Sequence, residues 1–209
     1  MKGFIVTGTD TGIGKTVFSA ALTGALWRRH GAARYWKPVQ AGLEETTDSE
    51  AVAQLAPGAL VHPEAYRLVT PASPHLAARI DGVTIDPARL ALPPGQAPLV
   101  VEGAGGALVP LAGRLLYADL FAGWGLPVVV VARTGLGTIN HTLLTIEALR
   151  ARGATLAGIA FVGAAHEENE AVIPLLSGVA RLGRLPVLAD VTAQTLAQAF
   201  DAGFAGWPR

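Results

Sequence analysis

Short apolar runs alternate with segments of helical periodicity along most of the chain, and this alternation limits the possible folds more than any other feature. The apolar runs are "GFIVTG" (3–8), "ARYWKPV" (33–39), "APLVVEG" (97–103), "LPVVVVAR" (126–133), "LAGIAFVG" (156–163) and "GRLPVLAD" (183–190). The helical segments are 15–31, 49–56, 114–125, 139–153, 167–181 and 192–203. This pattern predicts an α/β fold with a mostly parallel, doubly wound sheet flanked by helices, in a single domain over residues 1–209. The proline-bearing stretch 57–95 is predicted to be an irregular excursion from that domain.

The composition indicates extensive burial, with 51% hydrophobic and 15% charged residues. The best candidate for a membrane span, Leu120–Ala132, is interrupted by Gly123, Gly125 and Pro127. Because a span needs about 20 apolar residues, these runs are better explained as buried parallel strands. The start, "MKGFIVTGTD", lacks the long apolar stretch and cleavage site of a signal peptide. We therefore expect no membrane association and a cytoplasmic location.

The charge and cysteine content exclude several function classes. Sixteen Lys and Arg residues balance sixteen Asp and Glu residues, so a general nucleic-acid-binding surface is not expected. The absence of cysteine excludes disulfides, thiol nucleophiles and cysteine-based zinc sites. The histidines lack metal-ligand spacing and there is no G-x-S-x-G motif, which excludes metallohydrolases and serine hydrolases. His75 and His141 are therefore predicted to be hydrogen-bonded structural residues.

The stretch "GTDTGIGKT" (8–16) lies between the first predicted strand and the first predicted helix, which is the context of a phosphate-binding loop. Gly12 and Gly14 allow backbone N–H groups to approach phosphate oxygens at a helix N-terminus. We expect Lys15 to neutralise terminal phosphates and the Thr16 hydroxyl to bind Mg²⁺. The loop is one residue longer than the common motif and contains a carboxylate, Asp10. Such a carboxylate is tolerable if cations share the site. The loop in this context predicts a P-loop NTPase-like domain.

Two further polar residues follow predicted strands at the edge of the sheet where ligands bind in α/β proteins. Lys37 follows the second strand, and Pro38 fixes its backbone. Glu102 comes at the end of the buried run 97–103. Two lysines near one phosphate suit a reaction that develops anionic charge. A buried carboxylate is costly unless it is paired or binds a cation. Mg²⁺ prefers oxygen ligands and fits that requirement, and a salt bridge within the loop is the alternative.

Asp48 is predicted both to cap the small helix and to supply a third oxygen to Mg²⁺ beside Thr16 and Glu102. Glu50 lies close enough in sequence that the choice between these two acidic residues stays open.

Five stretches together resemble one family, the dethiobiotin synthetases, which are ATP-dependent enzymes of biotin synthesis. They are "GTDTGIGKT" (8–16), "KPVQAG" (37–42), "SPHLAA" (73–78), "EGAGGALVPL" (102–111) and "LGTINHTLLT" (136–145), with a weaker match at "RLGRLPVL" (181–188). The longer loop with Asp10 is the family's own variant. Each motif alone is shared with other phosphate-loop proteins, whereas the five in this order are specific to the family.

The resemblance implies an ATP-dependent cyclo-ligase that converts 7,8-diaminononanoate (7,8-diaminopelargonate) and CO₂ to dethiobiotin, with ADP and phosphate, through a carbamate and a carbamic–phosphoric anhydride. It implies Mg²⁺ and a homodimer with the substrate site at the subunit interface. The implied catalytic residues are Lys37, Lys15 and Thr11, and the implied Mg²⁺ ligands are Thr16, Asp48 and Glu102. The implied nucleotide-binding residues are Gly12, Ile13, Gly14, Lys15, Thr16, Val17, Asp48, Glu102, Gly103, Ala104, Gly105, Val162, Gly163, Pro186, Val187 and Leu188. The implied substrate-binding residues are Lys37, Ala41, Gly137, Thr138, Ile139 and Asn140.

Two positions depart from the family pattern. Ala41 stands where many members have a Ser or Thr that contacts the substrate, so that hydrogen bond is absent or comes from the backbone. Phe161 or Val162 stands where many members have an Asn that reads adenine. Because an apolar side chain cannot hydrogen-bond a base edge, we expect other nucleoside triphosphates to be accepted alongside ATP.

Two other interpretations remain for the phosphate loop. One is a synthetase of the cobyrinate type, although such proteins carry a glutaminase with a nucleophilic cysteine. The other is a regulatory ATPase that switches partners, although such proteins usually have a second lysine early in the loop, where this chain has Thr9.

Overall fold

A computed structural model describes residues 2–208 and places most of the strands in one central sheet. The strands are β1 (Gly3–Gly8), β2 (Arg34–Trp36), β3 (Val39–Ala41), β4 (Leu60–His62), β5 (Tyr66–Leu68), β6 (Leu99–Gly106), β7 (Pro110–Ala112), β8 (Leu115–Leu116), β9 (Val128–Arg133), β10 (Leu156–Val162) and β11 (Arg181–Leu185). The helices are α1 (Lys15–His30), α2 (Asp48–Leu55), α3 (Pro74–Ile80), α4 (Tyr117–Trp124), α5 (Thr138–Arg150), α6 (Glu167–Ser177) and α7 (Ala193–Gly203), with a 3₁₀ turn at Pro87–Leu90.

The central sheet has seven strands in the order β11-β10-β9-β1-β6-β2-β4, and its pairs are parallel. This confirms the predicted α/β fold class. β6 lies between β1 and β2, so the residues that follow these three strands meet at one edge of the sheet. The phosphate loop follows β1, Lys37 follows β2, and Glu102 lies within β6.

Two apolar cores cover the two faces of the sheet, because β1, β6 and β9 are buried on both sides. On one face Phe18 of α1 packs against Phe204, with ring centroids 5.5 Å apart. Trp207 packs on Phe4 at 5.1 Å, which ties the C-terminal segment to the same core. On the other face the rings of Tyr117 and Phe121 lie 5.6 Å apart. Among residues 2–208, no helix has the length and apolar character needed to span a bilayer.

The stretch 57–95 is more ordered than the sequence predicted. β4 pairs with β2 at the edge of the central sheet, β5 pairs with β3 in a small separate sheet, and α3 follows. Strands of three residues are too short to show alternation, so the sequence pattern missed them.

Several predicted boundaries were also wrong: the helix predicted from 114 begins at Tyr117 after β8, and the helix predicted to 153 ends at Arg150. The strand over 33–39 stops at Trp36, before Pro38, which has no N–H for the sheet ladder. The helix over 167–181 ends at Ser177, because Gly178 takes a left-handed conformation with φ of 64°. β11 consequently begins at Arg181, and it ends before Pro186 instead of reaching 190.

Candidate active site

The phosphate loop depends on glycines for its shape. Gly12 and Gly14 have φ angles of 69° and 92°, in the left-handed region that favours glycine. A Cβ atom on Gly14 would also lie 2.8 Å from Cγ1 of Val162, which is closer than such contacts normally come. The loop therefore delivers the N-terminus of α1, with its free N–H groups, to the edge of the sheet.

Asp10 is turned onto its own loop. Its Oδ1 accepts a hydrogen bond of 2.7 Å from the Thr11 N–H, and its backbone oxygen accepts one of 2.7 Å from Nζ of Lys15. The carboxylate is thus engaged at the exposed side of the loop, which explains why the loop tolerates it. Burial, and then the Lys37 charge, lower the pKa of Lys15 to about 8.

Thr16, Asp48 and Glu102 bring three oxygen-bearing side chains together from distant parts of the chain. Thr16 Oγ1 donates to Asp48 Oδ1 at 2.5 Å and lies 3.0 Å from Glu102 Oε1. Glu102 is fully buried and Asp48 is partly buried. The three side chains that the sequence analysis grouped thus lie within hydrogen-bond distance of one another, and their role as Mg²⁺ ligands stays a prediction.

Lys37 contacts both carboxylates of this cluster. Its Nζ lies 2.5 Å from Asp48 Oδ2 and 3.3 Å from Glu102 Oε1, and it donates to the Gly103 carbonyl at 2.9 Å. Burial alone would lower the pKa of Lys37, but the Glu102 and Asp48 carboxylates outweigh it and raise the pKa above its ordinary value. Lys37 is therefore a permanent cation beside two carboxylates.

Tyr35 is a neighbour of Glu102 that the sequence reasoning missed. Its hydroxyl donates to Glu102 Oε2 at 3.0 Å from a fully buried position. Burial, with the Glu102 charge, raises the pKa of this phenol well above its ordinary value, so it stays a donor. The sequence could have indicated Tyr35, because residues two apart along an extended chain have their side chains on the same face and Tyr35 lies two residues before Lys37.

The structure gives the two carboxylates after β3 different surroundings and corrects the predicted cap. Thr47, not Asp48, caps α2, in a reciprocal pair of hydrogen bonds with Glu50. Asp48 is consequently the first helical residue, and its side chain points to Thr16 and Lys37. Glu50 is occupied by the cap and is exposed. A hydroxyl at the cap followed by an acid three residues later is a signal that the sequence already contained.

A cavity of about 640 Å³ lies at this edge of the sheet. Twelve of its lining residues were predicted as site residues from the sequence: Thr11, Gly12, Gly14, Lys15, Thr16, Val17, Lys37, Ala41, Asp48, Glu102, Ala104 and Gly105. The sequence reasoning missed Gln40, Pro71, Ala72, Ser73, Pro74 and Val109. The motif "SPHLAA" (73–78) was the available signal for the segment before α3.

The other predicted site residues lie near the same sheet edge but outside the lining of this cavity. Gly137 to Asn140 begin α5, where Gly137 has φ of 88° at the N-cap. Val162 and Gly163 follow β10, and Pro186 to Leu188 follow β11, with Val187 78% exposed. Ile13 is buried in the core beneath the loop, and Gly103 engages Lys37 through its carbonyl. His75 has the expected hydrogen-bonded setting, since its Nδ1 lies 3.1 Å from Ser73 Oγ.

The side-chain oxygens of Thr16, Asp48 and Glu102 are of the chemical type that binds Mg²⁺. Within the described chain, no cluster of three or more His, Asp or Glu residues could hold a metal alone. Two carboxylates and one hydroxyl are nevertheless the kind of partial set that Mg²⁺ uses when phosphate oxygens and water supply the remaining ligands.

The fold and the site together define a phosphate-loop nucleotide-binding α/β protein. The ParA family ATPase from Chlorobium tepidum superposes with a TM-score of 0.56 at 10% identity, covering 98% of this chain and 91% of that structure. The cell division ATPase MinD of Pyrococcus furiosus gives a TM-score of 0.53 at 14% identity, covering 97% and 99%. At such identities the likeness establishes the fold alone.

Sequence relatives define the family more closely. A family model described as an AAA domain matches residues 2–195. The ATP-dependent dethiobiotin synthetase of Sphingopyxis alaskensis is 63% identical over 204 residues, covering 98% of this chain and 97% of the relative. That of Agrobacterium fabrum is 60% identical over 203 residues, covering 96% and 93%. The chain belongs to the ATP-dependent dethiobiotin synthetase family.

Proposed function

We propose that the chain is an ATP- and Mg²⁺-dependent ligase that closes the ureido ring of dethiobiotin from 7,8-diaminononanoate and CO₂. The observation that carries this proposal is the meeting of Lys15, Lys37, Thr16, Asp48 and Glu102 at one cavity beside the phosphate loop. Relatives at 60–63% identity over nearly the whole chain bear the same activity in their names.

The proposed reaction needs positioning and charge stabilisation more than a protein nucleophile. One substrate amine attacks CO₂ and loses a proton, which gives a carbamate. A carbamate oxygen attacks the γ-phosphorus, the bond to ADP breaks, and a carbamic–phosphoric anhydride forms. The second amine then attacks the carbonyl carbon, phosphate leaves, and the ring closes.

The residues have distinct proposed roles along this path. Lys37, a permanent cation at the cavity wall, stabilises the carbamate and the anhydride, and Lys15 stabilises the transferred phosphoryl group. Thr11 acts with them at the loop. Thr16, Asp48 and Glu102 would hold Mg²⁺, which neutralises phosphate charge when it is bound with ATP.

The proposed nucleotide site extends the phosphate loop towards the ends of β10 and β11. Its members beyond the cavity are Val162, Gly163, Pro186, Val187 and Leu188, with Gly103 to Gly105 beside the phosphates. Val162 supports the assignment because it borders Gly14 of the loop. The same apolar residue underlies our expectation that the base is weakly discriminated.

We also infer a homodimer with the substrate site completed at the subunit interface by Gly137, Thr138, Ile139 and Asn140. The support is apolar exposure near the start of α5 and on α6, where Leu136 is 97% and Leu175 is 79% exposed. The proposal further includes one catalytic domain over residues 1–209, whose two end residues lie outside the described part, and a cytoplasmic location, where ATP is made.

Product analysis by mass spectrometry tests the function. The protein is mixed with 7,8-diaminononanoate, bicarbonate, Mg²⁺ and ATP, with Lys37→Ala alongside. We expect a cyclic urea from the unmodified protein and nearly none from the variant. Phosphate release without urea would contradict the proposal and favour a regulatory ATPase or another substrate.

A further inference from the structure

Glu102 is held by a contact from beneath the cavity as well as by contacts within it. The Tyr35 hydroxyl donates to Glu102 Oε2 at 3.0 Å, and both residues are fully buried. A buried carboxylate without donors is costly, so this hydroxyl has an energetic consequence for the site above it.

The two oxygens of Glu102 have different partners. Oε1 faces the cavity, where it lies 3.0 Å from Thr16 Oγ1 and 3.3 Å from Lys37 Nζ. Among the hydrogen bonds of the described residues, Oε2 receives the one from Tyr35. The orientation of the carboxylate is thus set by Tyr35 at one oxygen and by Thr16 and Lys37 at the other.

β2 and the residue directly after it supply partners to both oxygens. Side chains alternate along a strand, so Tyr35 and Lys37 fall on the same face, whereas Trp36 faces the opposite core. Tyr35 reaches Oε2 and Lys37 reaches Oε1. Two residues at the carboxyl end of β2, one inside the strand and one just after it, therefore contact both oxygens of the carboxylate.

We propose that Tyr35 is a positioning residue, which turns Glu102 Oε1 towards Thr16 and Lys37 and thereby sets the affinity of the site for Mg²⁺ and nucleotide. This inference rests on the role proposed above for Glu102. Without the hydroxyl, Oε2 loses its donor and the carboxylate turns to compete for the donors of the cavity. Loss of a hydrogen-bond partner of a metal ligand typically costs 10–100-fold in metal affinity.

The chain contains a matched control. Tyr117 is also a fully buried tyrosine, and its hydroxyl has no hydrogen-bond partner among residues 2–208. Tyr35→Phe and Tyr117→Phe remove the same atom, but only the first removes a donor from Glu102. A general effect of losing a buried hydroxyl would appear in both variants.

The test measures binding of a non-hydrolysable ATP analogue by calorimetry over a series of Mg²⁺ concentrations. We expect Tyr35→Phe to raise the half-saturating Mg²⁺ concentration about tenfold or more, with Tyr117→Phe within about twofold of the unmodified protein. In a Glu102→Gln background, Tyr35→Phe should add little, because its effect passes through that carboxylate.

Three outcomes would overturn the proposal. They are an unchanged Mg²⁺ requirement in Tyr35→Phe with only a lower thermal unfolding midpoint, an equal effect of Tyr117→Phe, and binding by the unmodified protein that does not depend on Mg²⁺. The product assay decides separately on the ligase reaction. A missing urea with the expected Mg²⁺ shift would refute that reaction and leave the role of Tyr35 standing.

Discussion

Replacing Lys37 by Met should destabilise the protein in a way that depends on pH. The change keeps an unbranched apolar chain one atom shorter than lysine and removes the cation that lies 2.5 Å from Asp48 Oδ2 and 3.3 Å from Glu102 Oε1. The Lys37 side chain is 4% exposed and that of Glu102 is 0% exposed, so the remaining charges are poorly solvated.

The magnitude follows from this burial. Removing one partner of a buried ion pair costs about 3–5 kcal/mol. Since the Asp48 side chain is 28% exposed and water reaches it, we expect the lower end, about 3 kcal/mol. With a urea dependence of about 2 kcal/mol per molar, the unfolding midpoint should fall by about 1.5 M at pH 7.5.

The sign of the pH dependence comes from Asp48. Burial alone would raise its pKa, but Lys37 and the Thr16 hydrogen bond hold it below the ordinary value. A carboxyl with a lowered folded-state pKa stabilises the protein above its unfolded-state pKa, and this stability is lost as pH falls through the folded-state value. At pH 4.5 the unmodified protein still has this contribution, because that pH lies above the ordinary value of an Asp carboxyl. In the variant Asp48 is buried without its cation, which raises its pKa, so this carboxyl begins to bind a proton as pH falls. The difference between the two proteins should therefore be smaller at pH 4.5 than at pH 7.5.

Urea unfolding at pH 7.5 and 4.5 measures both quantities, and Arg28→Met provides the control. Arg28 lies 2.6 Å from Asp201, but the two side chains are 36% and 63% exposed. Exposed pairs of this kind contribute about 0–1 kcal/mol. A Lys37→Met effect no larger than that of Arg28→Met, or one that is equal at both pH values, would refute the reasoning.

Three further predictions concern the nucleotide site. Because Phe161 or Val162 stands where a base-reading amide is usual, turnover with CTP or GTP should be comparable to that with ATP. Strict ATP dependence in a steady-state comparison would contradict this. Asp48→Asn should weaken Mg²⁺-dependent nucleotide binding about tenfold or more. Glu50→Gln alters the cap pair with Thr47 and should lower only the unfolding midpoint. Equal losses of binding in calorimetry would argue against Asp48 as the Mg²⁺ ligand. Because the pKa of Lys15 is about 8, kcat/KM for ATP should fall about tenfold per pH unit above that value. An active Lys15→Arg variant should lack this fall. A flat pH profile for the unmodified protein would count against a charged Lys15 at the phosphates.

The sequence predicted the central residues because their positions follow from strand geometry alone. Lys37 and Glu102 are 65 residues apart in sequence, yet Lys37 directly follows β2 and Glu102 lies within β6, and the carboxyl ends of these strands share an edge of a parallel sheet. That rule needs only the existence and direction of each strand. The long apolar runs around β6 and β9 provided this information.

The sequence could not predict features that depend on short elements or on local turns. β4 and β5 have three residues each, so the segment from Pro71 to Pro74 was not expected at the cavity. The orientation of Asp10 depends on a hydrogen bond to the next residue, which no spacing rule reveals. The capping role of Thr47 was visible in the sequence, but the preference for Asp at such positions concealed it.

Tyr35 shows that strand geometry also indicates residues that lie behind the cavity lining. A polar side chain two residues before a site residue in a buried strand faces the same side and cannot reach solvent. The large majority of buried polar atoms have a hydrogen-bond partner, and the nearest charged groups here are those that the site residue also contacts. Tyr35 and Lys37 meet this condition through the two oxygens of Glu102. A buried polar residue at this spacing is thus evidence for a carboxylate or another acceptor behind the site, even before a structure shows which one.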